Sequence, residues 1–434
     1  MGTSFLKSVV VALCLLQSIS FSLIAGDYVH RVIFVNEGYY DYSSSQQVVP
    51  VTAAWYDPAT KTYAVFDTIS GARFATQVIV AGQFIFVAAD TLLVKYDRYS
   101  LQRLGARSVP GIRGIAAWND KVIVTRGEIG GLPSYFQVYN QSDLSLDYEL
   151  TPADGPQYAA QDIIIQNDKA YFIINNGFDW SNLKGLVGVV DLNTKTYVLE
   201  YDLGPDGLNP DNLMLEGNTF YTLNNKDFTG SSVSMIDPTG NNPVITTNLA
   251  NVSSGCGTST FFLSRVWYQH YSSQKLFAFN PATQQISDSF DFQKSFYGLE
   301  VDTVNNYIYA TSTDYVSTGT AYVYDASYAL VDSFAVGVAA GNIAFDIRKT
   351  TAIGKDALAE QHFTVFPNPA REILNLNIPA EVEKIEVYDL TGKLLMHESG
   401  NRQELNVQHL PSGYYQIVVK ARSGERAFRT FIKE

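Results

Sequence analysis

The chain has 434 residues, a formal net charge of −13, 13% aromatic residues and only 17% charged residues. The negative charge and the lack of any Lys/Arg run argue against a nucleic-acid-binding protein, which needs a dense basic face. Tyr and Phe, at 28 and 25 copies, favour extended β-sheets, and the length predicts more than one domain.

Residues 1–25 are typical of a secretory signal peptide. Lys7 precedes an apolar run over residues 9–16, which has signal-peptide length rather than the length of a membrane span. Cys14 lies inside this run and lacks the small-residue context of a lipoprotein site. Removal of the signal leaves Cys256 as the sole cysteine, so no intrachain disulfide is expected. No later stretch reaches the length of a transmembrane helix.

A repeated pattern fills the region from residue 27 to residue 348. Seven times a short apolar strand ends in a polar corner, and successive corners are 40 to 51 residues apart. A period of this size, built from strands, indicates β-propeller blades. We therefore predict an all-β, seven-bladed β-propeller over residues 27–348, with corner residues that act as turn formers. The corners are Asp57, Asp97, Asn140, Asp191, Asp237, Asn280 and Asp325.

The two ends of this region predict how the ring closes. Residues 31–36 resemble the second strand of a blade but have no inner strand before them. Residues 341–347 resemble an inner strand that no blade follows. Pairing these two segments would complete one blade and remove the open sheet edges.

The strand pattern of the sequence changes after the propeller region. Residues 349–362 lack strand periodicity and are predicted to be a linker. Residues 363–434 contain short alternating strands, which predict a small Ig-like β-sandwich.

Four blocks in this tail carry a specific resemblance. Residues 366–369 (FPNP), 387–393 (VYDLTGK) and 410–415 (LPSGYY), with a closing Lys433, resemble the C-terminal sorting domain of type IX secretion substrates in Bacteroidetes. The resemblance implies passage across the inner membrane by the general secretion pathway and then translocation across the outer membrane, guided by this domain. The domain is then usually removed, and the protein is attached to surface lipopolysaccharide. The motif residues are Pro367, Asn368, Pro369, Gly392, Lys393, Leu410, Pro411, Gly413, Tyr415 and Lys433.

The propeller region has a weaker resemblance. Residues 35–38 (VNEG) and 171–177 (YFIINNG) are similar to YncE-like, YVTN-repeat propellers of Bacteroidetes surfaces. Some members of that group bind cobalamin beside an outer-membrane transporter. No motif here is diagnostic for a corrin ring, so no ligand residues are carried over.

Loops that join second to third strands, and loops that join blades, meet on one face of a propeller. In this chain they are rich in aromatic and polar residues, which suit a planar or sugar-like ligand. The strongest candidates are the segments 39–40 and 178–180, because each occupies a long loop that no strand needs. The predicted ligand-binding residues are Tyr39, Tyr40, Arg113, Arg126, Tyr158, Phe178, Trp180, Phe228, Tyr297 and Tyr315.

Signals for catalysis are weak, and no catalytic residue is assigned. Three of the five His residues lie in the linker or tail, so a His-rich metal centre within the ring is not expected. Neither a Gly-x-Ser-x-Gly elbow nor a phosphate-binding Gly-Lys-Ser/Thr loop occurs. No cofactor is predicted, although Ca²⁺ at the channel mouth remains an alternative. Its oxygen ligands would be Glu37, Asn175, Asn224 and Asp314.

These observations predict a secreted, surface-delivered propeller that binds a ligand noncovalently on its loop face. The ligand could be a small molecule such as a corrinoid, a glycan or a partner protein. Two alternatives are a Ca²⁺-dependent, lactonase-like hydrolase and a structural or adhesive surface-layer protein. The type IX secretion machinery is an expected partner. Nucleic acid is not an expected partner, and no transmembrane segment is expected.

Overall fold

The computed structural model describes residues 27–226, 230–249, 258–270, 273–349, 363–378, 381–389, 393–422 and 426–434. The predicted signal peptide and residues 350–362 of the predicted linker lie outside these ranges, whereas Lys349 is the last residue of a strand. The chain divides into two compact units, one of which is Tyr28–Arg348; the described tail belongs to the other. The described residues form strands and turns but no helix, and none of their segments is a helix that could span a membrane. The all-β prediction is therefore confirmed.

The first unit contains seven four-stranded sheets, which we number as blades 1 to 7. Blade 1 contains β1 (Asp27–Asn36), β4 (Val51–Asp57), β5 (Thr62–Ile69) and the distant strand β30 (Ala340–Lys349); β2 (Tyr39–Asp41) and β3 (Gln46–Val49) form a separate hairpin. Blade 2 contains β6 (Gln77–Ala81), β7 (Phe84–Ala89), β8 (Leu92–Asp97) and β9 (Arg103–Ser108). Blade 3 contains β10 (Ile112–Trp118), β11 (Lys121–Arg126), β12 (Phe136–Asn140) and β13 (Leu146–Leu150).

The remaining blades repeat the same order of strands. Blade 4 contains β14 (Ala160–Gln166), β15 (Lys169–Ile174), β16 (Leu186–Asp191) and β17 (Thr196–Asp202). Blade 5 contains β18 (Pro210–Glu216), β19 (Thr219–Asn224), β20 (Ser231–Ile236) and β21 (Val244–Leu249). Blade 6 contains β22 (Ser259–Phe262), β23 (Arg265–Gln269), β24 (Lys275–Asn280) and β25 (Gln285–Asp291). Blade 7 contains β26 (Gly298–Asp302), β27 (Tyr307–Ser312), β28 (Thr318–Tyr324) and β29 (Leu330–Val338).

Local chemistry explains where these strands turn. Asn167 and Asp168 join β14 to β15 with φ angles of 50° and 59°, a conformation that Asn and Asp tolerate in tight hairpins. The corner residues cap the turns that follow them. Asp97 Oδ1, for example, accepts a hydrogen bond from the Ser100 amide at 2.7 Å, and Asp325 Oδ1 accepts one from the Ser327 amide at 2.8 Å.

The hydrophobic core of this unit is divided into seven clusters, one at each boundary between neighbouring blades. Blades 1 and 2 share a cluster that includes Ile33 and Val87, and the series continues blade by blade. The last cluster joins blade 7 to blade 1, where Tyr309 packs with Phe34. In blade 1, β30 is hydrogen-bonded to β1, so the two ends of the region share a sheet.

A polar side chain also crosses each of the seven boundaries near the inner strands. We call these contacts the inter-blade seam. Thr76 Oγ1 donates to Arg113 O at 2.7 Å, and Thr311 Oγ1 donates to Ala340 O at 2.5 Å. The other donors of the seam are Thr125, Asn175, Asn212, Thr258 and Asn342. These bonds satisfy carbonyl and hydroxyl groups that the sheets leave unpaired at the blade boundaries.

The described tail consists of two sheets around its own core. One sheet has the order β31 (Thr364–Phe366), β32 (Ile373–Asn377), β35 (Glu404–Asn406). The other has the order β34 (Leu394–Ser399), β33 (Val382–Asp389), β36 (Gly413–Ala421), β37 (Arg426–Lys433). The two sheets share one core, which contains Phe363, Leu405 and Phe431.

Several residues of the tail motifs have structural roles within this unit. Asn368 Oδ1 accepts the Ile432 amide at 2.8 Å, and its Nδ2 donates to Thr430 O at 3.2 Å, so the amide group continues the hydrogen bonding of the last strand. Tyr415 donates its hydroxyl to Pro411 O at 2.7 Å and stacks on Phe431. Gly392 lies outside the described residues.

Candidate functional site

A cavity of about 580 Å³ lies among the loops of blades 1, 2, 3, 4 and 7. We call it the cup. Six aromatic side chains, two arginines and two glutamates line it, and its volume lies in the range of pockets that hold small molecules. Its lining residues are Glu37, Gly38, Tyr39, Tyr40, Tyr42, Arg73, Phe74, Arg113, Glu128, Ile129, Phe178, Tyr315 and Ala339.

One wall of the cup is the β2–β3 hairpin. Gly38 starts it with a φ of +74°, and a Cβ atom there would lie 2.2 Å from Val49 O, so only glycine fits. The hairpin carries Tyr40 and Tyr42, whose rings meet edge to face with centroids 4.8 Å apart. Asp41 holds the turn, because Ser43 Oγ and Ser44 Oγ donate to its carboxylate and lower its pKa to about 2.

Arg113 lies on the inner side of the cup. Its Cζ atom is 4.4 Å from the centroid of Phe178 and 5.4 Å from that of Phe74, which are cation–π distances. Its Nε donates to Gly127 O at 3.3 Å, and burial lowers the pKa of the guanidinium. Among the carboxylates of the described ranges, none lies within ion-pair distance of Arg113.

Gly127 makes the contact between Arg113 and Phe178 possible. A Cβ atom at residue 127 would lie 2.7 Å from Cε2 of Phe178, so a larger residue would displace the ring. The glycine therefore couples the position of Phe178, in blade 4, to that of Arg113 in blade 3.

Arg73 is neutralised locally, in contrast to Arg113. Its Nε and Nη2 donate to the two carboxylate oxygens of Asp90 at 2.8 and 2.7 Å, and its amide donates to Asp90 Oδ2 at 3.1 Å. The hydrogen bonds to Asp90 raise the pKa of Arg73. This bidentate pair fixes the start of blade 2 at the edge of the cup.

A second cavity of about 650 Å³ follows the inner strands, and we call it the channel. Glu37, Phe74 and Arg113 line both the cup and the channel. Asp162, Asp211 and Glu300 add three further carboxyl groups to the channel wall. Burial, together with the nearby charge of Asp162, raises the pKa of Asp211 to about 7.

Glu37 connects the two cavities. Tyr297 donates its hydroxyl to Glu37 Oε1 at 2.5 Å, and burial raises the pKa of Glu37 to about 7. Gly341 leaves room for this pair, because a Cβ atom there would lie 2.6 Å from Tyr297 Cε1 and 2.8 Å from Glu37 Oε1.

Asp162 connects three blades across the channel wall. Its Oδ1 accepts Gln77 Nε2 of blade 2 at 3.0 Å, and its Oδ2 accepts the Leu213 amide of blade 5 at 2.9 Å. Gln77 Oε1 in turn accepts the Ile115 amide of blade 3 at 2.5 Å. These hydrogen bonds give Asp162 a structural role.

The structure brings together half of the residues that the sequence proposed for ligand binding. Tyr39, Tyr40, Arg113, Phe178 and Tyr315 line the cup, and Tyr297 lines the channel. Phe228 lies outside the described residues. The other three lie elsewhere on the blades, and they are Arg126, Tyr158 and Trp180.

The three residues outside both cavities have other surroundings. Arg126 is buried and donates to Pro110 O at 2.9 Å and to Ser134 O at 2.9 Å. Tyr158 packs its ring under Lys184, with Nζ 4.5 Å from the centroid. Trp180 is 66% exposed.

Arg73 and Phe74 are lining residues that the sequence analysis did not single out. They lie in the connection from blade 1 to blade 2, which corresponds to the blade-to-blade position of Arg113. A comparison of the blade-to-blade connections with one another could have identified Arg73 and Phe74 in the sequence.

Calcium binding was the alternative expectation for the channel mouth. In the described ranges, no three His, Cys, Asp or Glu side chains are grouped so that they could hold a metal ion. Two of its proposed ligands are engaged locally. Asn224 donates to Ser232 Oγ at 2.9 Å and to Ser234 Oγ at 2.8 Å. Asp314 Oδ1 accepts the Val316 and Ser317 amides at 2.9 and 2.7 Å.

The larger unit is therefore a β-propeller with a cup among its loops, and solved structures support this class. A hypothetical selenium-binding protein from Sulfolobus tokodaii aligns with a TM-score of 0.56 at 9% identity, over 74% of this chain and 94% of that one. A protein from Lactobacillus plantarum aligns with a TM-score of 0.50 at 12% identity, over 73% of this chain and 99% of that one.

The tail has a family assignment. Residues 364–434 match the secretion system C-terminal sorting domain, so this part of the chain is a type IX sorting domain and indicates secretion by that route. The resemblance of the tail motifs is thereby confirmed. No curated protein matches the chain.

Proposed function

We propose that this protein is a surface-delivered β-propeller that binds a small molecule noncovalently in the cup. The observation that carries the proposal is a cavity of about 580 Å³ with six aromatic side chains and two arginines in its wall. Aromatic walls supply contact area at a low cost in side-chain entropy, and a few polar groups fix the orientation of a ligand. The sorting domain supports delivery to the outer surface or the medium.

The cup favours a small molecule over an extended macromolecule among the ligand classes that the sequence left open. Its volume suits a compact ligand, whereas a protein partner requires about 800 Å² of buried surface on each side. A corrinoid and a short glycan remain hypotheses of ligand identity. Membership of the YncE-like family and an origin in Bacteroidetes also stay predictions.

The test compares two aromatic residues of one loop. Phe178 lines the cup and contacts Arg113, whereas Trp180, two residues later, is exposed and outside it. The wild type and the variants Phe178→Ala and Trp180→Ala are purified from the native cell surface, and their bound small molecules are identified by mass spectrometry. We expect at least one compound that the wild type and Trp180→Ala retain but Phe178→Ala loses by tenfold or more.

Thermal unfolding of each variant provides the control for stability. The proposal fails if Phe178→Ala keeps its fold and retains the same compounds as the wild type. It also fails if Trp180→Ala alone releases the ligand, since the binding site would then lie on the outer surface of the loop.

A further inference from the structure

We infer that the cup takes a planar organic anion whose carboxylate pairs with the edge of the Arg113 guanidinium. This inference rests on the proposed function and adds the chemical class of the ligand. It depends on three observations: the hydrogen-bonding capacity that Arg113 retains, the lack of an ion pair to Arg113 among the described residues, and the aromatic wall next to the guanidinium.

Arg113 has donors that the described residues leave unused. The guanidinium carries five N–H groups in one plane, and within the described part of the chain its hydrogen bond is the one from Nε to Gly127 O. The contacts with Phe74 and Phe178 involve the charge and the ring faces rather than the N–H groups. The Nη edge is therefore available for a bidentate pair with a carboxylate, a geometry that arginine forms readily.

The ion pairing in the cup also favours an anion beside Arg113. A half-buried arginine normally has a carboxylate partner, because removing an unpaired charge from water is costly. Asp90 is paired with Arg73, and Glu37 accepts a hydrogen bond from Tyr297. Glu128, the remaining lining carboxylate, acts on Arg113 electrostatically, but no ion pair among the described residues joins the two. A ligand carboxylate would give Arg113 a counter-charge in direct contact.

The wall around Arg113 defines the rest of the ligand. Phe74 and Phe178 flank the guanidinium, and four tyrosines also line the cup. A flat ring attached to the carboxylate would pack against these aromatic side chains while its acid group meets Arg113. A neutral molecule of the same shape would leave the arginine unpaired, so the cup should discriminate by charge.

The experiment compares matched probes on the full-length protein. The probes are 2-naphthoate and its neutral analogue 2-naphthalenemethanol, titrated by isothermal calorimetry at pH 8. We expect 2-naphthoate to bind at least tenfold more tightly than the alcohol. The variant Arg113→Met should remove most of this difference by weakening the acid alone. Arg107→Met, an equal change of charge on the exposed strand β9, serves as the matched control and should keep the difference.

Each outcome decides one level of the argument. Equal affinity for both probes in the wild type overturns the assignment of an anion and leaves a ligand-binding cup in place. Selectivity that survives in a folded Arg113→Met variant overturns the role of this residue. Failure of both probes to bind overturns the planar class, whereas the cup itself is judged separately by the compounds that Phe178→Ala loses.

Discussion

Glu37, which lines both the cup and the channel, offers a direct test of how far the carboxyl group is buried there. Its pKa is raised from 4.5 to about 7 by burial, although Tyr297 donates a hydrogen bond to it. In the unfolded chain the same carboxyl group titrates near its usual value. Between these two pKa values the folded protein binds more protons than the unfolded chain, so stability falls as the pH rises.

The magnitude follows from the size of the shift. One pKa unit corresponds to about 1.36 kcal/mol, so Glu37 costs the folded state about 2.5 kcal/mol between pH 5 and pH 8. The variant Glu37→Gln keeps an oxygen that can accept the Tyr297 hydroxyl but cannot ionise. Its free energy of unfolding should therefore rise relative to that of the wild type by about 2.5 kcal/mol across this range.

The assay is urea unfolding followed by tryptophan fluorescence. All four tryptophans lie in the propeller region, so the signal is independent of the tail. Asp41→Asn is the matched control, because the pKa of Asp41 is about 2 in the folded protein and its ordinary value is 3.8. Both values lie below pH 5, so the difference in unfolding free energy between this variant and the wild type should stay constant between pH 5 and pH 8. A Glu37→Gln difference that is equally constant would refute the argument that this carboxyl group is desolvated.

Two further predictions concern the closure of blade 1 and the independence of the tail. Asp346 is fully buried and pairs with Arg98 of blade 2 and with Arg348. The variant Arg98→Met should therefore lower the free energy of unfolding by about 3 kcal/mol. The control Lys195→Met breaks an exposed ion pair and should lower it by about 1 kcal/mol or less. Equal effects of the two variants in urea unfolding would contradict the first prediction. Deletion of residues 363–434 should leave the tryptophan-detected unfolding midpoint unchanged and trap the protein in the periplasm; labelling of the truncated protein on intact cells would contradict the assignment of the sorting role.

Features set by neighbouring residues were predictable from the sequence. The turn at Asn167-Asp168 follows from the tolerance of these residue types for positive φ, and the capping by Asp97 and Asp325 follows from their position before a turn. The sorting domain was predictable because its motifs are contiguous blocks. In each case the physical cause lies within a few residues of the observed effect.

The composition of the cup depends on distant parts of the chain and was predictable only in part. Phe178 and Trp180 occupy the same loop, and both were plausible binding residues by type. A turn in which the Asp179 amide donates to Asn176 O at 3.0 Å shapes the loop, and Phe178 lines the cup while Trp180 stays exposed. The pairing of Arg73, rather than Arg113, with Asp90 among the described residues likewise depends on side-chain geometry that sequence patterns do not encode.

The sharing of one sheet by β1 and β30 has a consequence for biogenesis. During synthesis β1 emerges about three hundred residues before the strand beside which it will lie, so this blade is the last that can be completed. A nascent chain that stops short of residue 340 would display a bare strand flank, which is a feature that chaperones and proteases can recognise. Completion of blade 1 therefore requires that the chain has been made as far as β30, and the sorting domain follows later in the sequence.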